Sequence, residues 1–206
     1  NKSFFLSLIF LSVLGIGTIA NAQNNKPVQD PEAKKILDKV SAKYRAMKSF
    51  SATFQRTIKS NTDEIYGSQN GKIIVNNTKF HMTLDEIEIF CNGNTVWTLM
   101  KDVQEVNVTN YEKDGEQVTP NTIYDIYKEG YKYILYGTQK VDGKLAHIMD
   151  LEPTDHTKEI GKIRLWVNSS NYEIMQWVVY QKGSNDRQVF DIKSFQANPT
   201  VSNDMF

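Results

Sequence analysis

Residues 86–108, EIEIFCNGNTVWTLMKDVQEVNV, restrict what this chain can become more than any other stretch. Ile87, Ile89 and Cys91 alternate with Glu86, Glu88, Phe90 and Asn92, the period of two of a half-buried strand. Asn92-Gly93-Asn94 then supplies residues that accept positive φ, as a tight hairpin requires. The chain returns along Thr95 to Met100, turns at Lys101-Asp102 and leaves along Val103 to Val108. Its return is apolar on both faces, with Trp97 and Leu99 on one and Val96 and Met100 on the other. A sheet of this kind is covered on both sides, or keeps one face for something that is not protein.

The N-terminus reads as an export signal. Lys2 precedes an apolar run from Phe4 to Ala20, and Ala20-Asn21-Ala22 fits the cleavage pattern before Gln23. A membrane anchor is the alternative, but Ser7, Ser12, Gly15 and Gly17 dilute a run barely long enough to span. No cysteine stands at the cleavage point, so the expected product is a soluble exported chain that is not itself a lipoprotein. Residues 1–22 are thus expected to be removed, leaving residues 23–206 as a single domain large enough for a sizeable core. The signal takes one of the 24 basic residues and none of the 24 acidic ones, so the balance gives no reason to expect nucleic acid or an anionic membrane surface. Cys91 is the only cysteine, and its apolar strand position reads as a buried small hydrophobe rather than a reactive thiol.

Asp30, Pro31 and Glu32 stand where a helix start favours them. Ala33, Ile36, Leu37, Val40, Tyr44 and Met47 then share one helical face, which predicts an amphipathic helix packed on a sheet. From Phe50 the period becomes two, with Phe50, Ala52, Phe54, Arg56 and Ile58 on a common face. A strand from Ile65 to Val75 follows, with Gly67 and Gly71 as bends or bulges, and Phe80, Met82 and Leu84 continue beyond a turn at Asn76-Asn77-Thr78. Asp114-Gly115 marks another turn. Ile123, Ile126 and Tyr127, then Tyr131, Tyr133, Ile134 and Leu135 after Gly130, read as one or two short aromatic helices. Strands resume at Leu145–Leu151, Ile163–Val167, Ile174–Tyr180 and Val189–Phe195, and a further one is expected to begin at Asp204-Met205-Phe206. Short spacings between about ten strands imply an antiparallel meander, and a sheet this wide must curl. The expected fold is α+β: a curled antiparallel sheet forming an incomplete (half) β-barrel, with helices covering the concave side.

The search for chemistry finds no nucleophile elbow, no phosphate-binding glycine loop and no zinc-protease helix. His81, His147 and His156 lie far apart, and Asp85, Glu86 and Glu88 beside a turn read as a solvated edge rather than paired catalytic carboxylates. No enzyme activity, metal or cofactor is expected. What remains is an excess of adaptable apolar side chains: Phe54, Phe80, Met82, Ile89, Trp97, Leu99, Ile123, Ile126, Ile134, Leu135, Met149, Trp166 and Trp177. Each alone reads as plain core. Together, under a curled sheet with a helical cover, they are candidates to line a cavity for acyl chains.

Met47-Lys48-Ser49-Phe50-Ser51-Ala52-Thr53-Phe54, Gly71-Lys72-Ile73-Ile74-Val75 and above all Cys91-Asn92-Gly93-Asn94-Thr95-Val96-Trp97 carry a resemblance. Thr119-Pro120, Leu151-Glu152-Pro153 and Ile163-Arg164-Leu165-Trp166-Val167 follow in order. Over nearly all of its length from Ile36, the chain resembles the outer-membrane lipoprotein carrier (LolA) family, whose D-G-x-x-x-W hairpin it matches with Asn92 in place of Asp. The resemblance implies a periplasmic, monomeric carrier without a cofactor. Its expected partners are acylated lipoproteins, the inner-membrane lipoprotein-releasing ABC transporter and an outer-membrane acceptor. Where the family has an Arg-Pro pair whose Arg latches the lid, this chain has Asn76-Asn77, so either an Asn makes a weaker latch or packing alone holds the lid. The alternative function is a periplasmic lipid- or lipoprotein-sensing regulatory domain of the same fold. An outer-membrane acceptor would need a lipobox cysteine, and a hydrolase lacks its nucleophile and base.

Overall fold

The computed structural model describes residues 29–111 and 118–206. The expected signal peptide and the Asp114-Gly115 turn lie outside the described residues.

Among the described residues one α-helix forms, α1 (Pro31–Arg45), and it starts where the local chemistry says it should. Asp30 Oδ1 accepts from the backbone N–H of Glu32 at 2.8 Å and of Ala33 at 3.5 Å, capping the first turn. The other carboxylate oxygen accepts from Leu135 N–H at 3.0 Å, so the same side chain pins the helix to a strand. These backbone bonds, Leu135's first, hold the Asp30 carboxyl below its usual range. Ala33, Leu37, Val40 and Tyr44 are buried as their spacing predicts. Tyr44 meets Phe50 and Phe195 edge-on, each at 5.5 Å between centroids, and its hydroxyl accepts from Ile174 N–H.

Eleven strands follow: β1 (Ser49–Lys59), β2 (Ile65–Asn76), β3 (Lys79–Leu84), β4 (Ile87–Cys91), β5 (Thr95–Met100), β6 (Glu105–Asn110), β7 (Tyr131–Val141), β8 (Lys144–Pro153), β9 (Ile160–Asn168), β10 (Ile174–Gln181) and β11 (Arg187–Ala197). They form one antiparallel sheet in the order β6-β5-β4-β3-β2-β1-β11-β10-β9-β8-β7. The chain therefore works outward from β1 to one edge, passes to the opposite edge, and works back until β11 pairs with β1. The edges β6 and β7 do not pair, so the curled sheet stays open.

Two expectations are corrected. Tyr131 to Leu135 belong to β7 and not to a helix; the connection before them is a series of turns ending in a short 3₁₀ turn, Ile126–Lys128. Tyr131, Tyr133 and Leu135 face the core at a period of two, while Ile134 and Tyr136 face out. The C-terminus ends in a 3₁₀ turn, Asn203–Met205, rather than a strand. Of the glycines expected to bend β2, only Gly67 sits beside a register shift; Gly71 lies in regular ladder opposite Phe54. There the Phe54 ring lies flat over the backbone, where any Cβ would overlap it. The 92–94 turn forms as read: Gly93 has φ +99°, and Asn92 Oδ1 accepts from the N–H groups of Asn94 and Thr95.

Candidate functional site

Directly opposed residues in an antiparallel sheet point to the same face, so the register decides which side chains can meet. One row runs Ala52, Ile73, Met82, Ile89, Thr98; its neighbour runs Phe50, Val75, Phe80, Cys91, Val96. Both point to the face that holds the core cluster. The row between them, Ser51, Ile74, His81, Phe90, Trp97, Val108, points the other way.

Two adjoining cavities open on the core face, sharing Met82 and Thr119 as common wall. The smaller, about 460 Å³, lies among Phe54 and Arg56 of β1, Met82 and Leu84 of β3, Val179 of β10, and Gln188 and Phe190 of β11. Ile160 and the 158–159 loop complete it, with Val118, Thr119 and Pro120 across it. The larger, about 900 Å³, lies among Phe80, Met82, Ile89, Val96 and Thr98, with Asn107 to Tyr111 at the β6 edge and Asn121 and Thr122 facing them. Both volumes fall within the range of about 300–1,000 Å³ typical of small-molecule sites.

The segment 118–128 borders both cavities and is fastened to α1 by polar bonds. Asp125 accepts from Ser41 Oγ at 2.6 Å and from Arg45 Nε at 2.8 Å, and pairs with Lys128 Nζ at 2.8 Å. Burial works to raise the Asp125 carboxyl, but the bonds from Arg45, Lys128 and Ser41 outweigh it and leave it below its ordinary value. Tyr127 donates its hydroxyl to Asp38 at 2.7 Å, and Tyr124 stacks on Tyr44 at 4.9 Å. Burial, foremost, pushes the Tyr124 phenol up to about 12. Neither expected latch is what holds this segment: among the described residues Asn77 Nδ2 bonds its neighbour Asn76 Oδ1, and the fastening comes from α1.

Of the residues expected to line a cavity, Phe54, Phe80, Met82 and Ile89 do so. Trp177 and Met149 are fully buried, and Trp177 stacks at 4.7 Å on Phe190, which does line the smaller cavity. Ile123 is buried in the core, with Ile126 and Leu135 packed against it. Trp97, Leu99, Ile134 and Trp166 are corrections. Trp97 and Leu99 stand on the face away from the cavities, Leu99 beside Val106, which is 57% exposed. Ile134 opposes Asp150 on that face, and Trp166 donates to Gln139 at the surface. Of the carboxylates beside the turn, Glu88 bonds His81 Nε2 at 2.8 Å and Lys101 Nζ at 3.1 Å, also on that face, and among the described residues pairs with no other acid.

Sequence reasoning did not propose Arg56, Leu84, Val96, Val179 or Phe190 as cavity residues. The alternation that placed Arg56 on the Phe54 face was its signal. Arg56 Nε and Nη2 donate to Gln188 Oε1 at 3.0 and 2.9 Å, and Nη1 donates to Gln69 Oε1 at 2.6 Å. Burial pushes this guanidinium below its usual value. Cys91 is fully buried with its thiol pushed up by burial, as its position predicted.

The family model described as outer membrane lipoprotein carrier protein LolA matches residues 45–206. The chain belongs to the LolA family. Solved structures agree on the fold: an uncharacterised conserved protein of Thermus thermophilus, 10% identical, aligns over 84% of this chain and 92% of its own with a TM-score of 0.58. LprF of Mycobacterium bovis (12% identity, 85% and 98% of the two chains, TM-score 0.49) and a LolA superfamily protein of Nitrosomonas europaea (15%, 84% and 96%, 0.44) are more distant in shape. No curated protein matches the chain in sequence. Within this LolA-family chain, no helix among the described residues is long and apolar enough to cross a membrane.

Proposed function

We propose that the chain is a periplasmic carrier that takes acyl chains of lipoproteins into the paired cavities and shuttles them from the inner to the outer membrane. The observation that carries this reading is the pair of cavities on the core face, walled by Phe54, Phe80, Met82, Ile89 and Phe190 and bounded by segment 118–128. Withdrawing an acyl chain from water stabilises the complex by about 0.8 kcal/mol per methylene, which is the reason to carry one through an aqueous compartment in such a space. Helix α1 and segment 118–128 form the cover over the concave side, and the Arg45–Asp125 ion pair with the Ser41–Asp125 and Tyr127–Asp38 hydrogen bonds gives it a fastening that can open without unfolding the sheet. The inner-membrane lipoprotein-releasing ABC transporter loads the carrier and an outer-membrane acceptor unloads it. Transfer needs no cofactor and no covalent step, and the carrier works as a monomer.

The test is release. Purified protein is added to spheroplasts making a labelled triacylated lipoprotein, and the medium is analysed for a soluble one-to-one complex. Complex formation supports the carrier. Acyl-chain binding without release overturns it in favour of the sensing domain.

A further inference from the structure

Three of the four arginines in the sequence are matched by an aspartate: Arg45 with Asp125, Arg164 with Asp150, and Arg187 with Asp63. Arg56 is the exception. Its partners are the neutral amides of Gln69 and Gln188, and no carboxylate among the described residues lies within ion-pairing distance. The reduced guanidinium basicity has burial as its sole cause, as expected of a cation withdrawn from water without a compensating anion. A guanidinium stays charged at neutral pH even so.

The placement of this charge is as unusual as its lack of a counter-ion. Arg56 stands in the row that joins Phe190 to Gln69 and projects to the cavity face among Phe54, Met82, Leu84 and Val179. Among the described residues, the other charges at this cavity are Lys158 and Glu159, adjacent in the chain and opposite in sign. Three of the five guanidinium N–H groups are used by the glutamines, which leaves one on each terminal nitrogen. Two N–H groups on adjacent nitrogens match the two oxygens of a carboxylate.

We propose that the smaller cavity binds an amphiphile with one aliphatic chain and a carboxylate head, the head paired with Arg56 and the chain lying along Phe54, Met82 and Phe190. This rests on the lipid-binding reading above and adds a ligand class for one of its cavities: the neutral ester and amide groups of an acylated protein terminus cannot pair with a half-buried guanidinium, whereas the carboxylate of a fatty acid can. Gln69 and Gln188 hold the guanidinium in place without neutralising it, so its charge remains available to the ligand.

Equilibrium binding to the protein is measured for oleate, oleyl alcohol and an oleoyl lysophosphatidate, with wild type, Arg56→Gln and Arg56→Lys, each variant first checked for an unchanged thermal midpoint. Oleate is expected to bind wild type at least about tenfold more tightly than the alcohol, the size of a charge-assisted hydrogen bond. Arg56→Gln should bring oleate down to the alcohol's affinity while leaving the alcohol unchanged, and Arg56→Lys should restore part of the difference. Equal binding of oleate and alcohol, or oleate affinity indifferent to Arg56→Gln, overturns the proposal and leaves lipid binding intact. Tenfold tighter binding of the phosphate amphiphile overturns the carboxylate assignment. Failure of all three to bind removes the lipid-binding reading itself.

Discussion

Gly71 and Phe54 offer a sharp test of how the cavity wall is built. A Cβ at position 71 would come within 2.6 Å of Phe54 Cε2 and 2.8 Å of Cε1, closer than atoms tolerate. The ring cannot swing away easily: it is 2% exposed, with Phe190 6.2 Å off on its other side and Trp177 stacked behind that. Gly71 has no positive φ, so its replacement is opposed by the ring and not by the backbone. Gly71→Ala should therefore cost about 2 kcal/mol by overpacking. Phe54→Ala should cost about 3 kcal/mol, the low end for a buried Phe, because the ring borders an existing cavity of about 460 Å³ and its loss widens that space rather than opening a sealed void. If the sites were independent, the double variant would lose about 5 kcal/mol. It should lose only about 2 to 3 kcal/mol, since the new methyl enters the space the ring vacated and alanine suits a strand better than glycine by about 0.5–1 kcal/mol. Urea unfolding of the four proteins, followed by circular dichroism, gives the cycle. Additivity to within about 0.5 kcal/mol would refute the packing argument.

Trp97→Asp and Leu99→Asp, on the outer face, should leave acyl-chain binding unchanged, whereas Met82→Asp or Ile89→Asp, on the cavity face, should abolish it by placing a carboxylate among apolar groups. Displacement of a fluorescent fatty acid distinguishes them, and the reverse pattern would mean that the ligand sits on the other side of the sheet. Asp125→Asn should destabilise the protein by about 1–3 kcal/mol at pH 7 through lost charge-assisted bonds. The wild-type Asp125 carboxyl lies below its ordinary value of 3.8, so its contribution is present above that pH and lost as the pH falls through the folded value. The gap between variant and wild type should accordingly close in acid; urea midpoints at pH 7 and pH 3 check the sign.

What the sequence revealed was local, and what it hid was relational. Asp30-Pro31-Glu32 and the apolar stripe from Ala33 to Tyr44 predict α1 because a helix needs only its own neighbours to be recognised. The hairpins at Asn77 and Gly93 were legible for the same reason. The cavity face was not. β5 is apolar on both sides, and only its registration against β4, and through β3 and β2 against β1, turns Val96 inward and Trp97 outward. A one-residue slip would exchange them. The misreading of β7 has another cause: Ile123, Ile126 and Tyr127 at helical spacing carried that period across Gly130, although Tyr131, Tyr133 and Leu135 already alternated. Arg56 was visible on the Phe54 face from the first, but its pairing with amides depends on Gln69 and Gln188 from two neighbouring strands.

The order of strands has a mechanical consequence. β6 and β7 are consecutive in the chain yet stand at opposite margins of the sheet, so the chain must pass from one limb to the other like the cord of a bow, residues 118–128 being the described length of that cord. Asp125 and Tyr127 clamp that cord to α1, whose far end is fixed to β7 through Asp30. A bulkier guest that spreads the two limbs must therefore strain the clamp. Cavity size and the Asp125 clamp are in this way a single adjustable quantity.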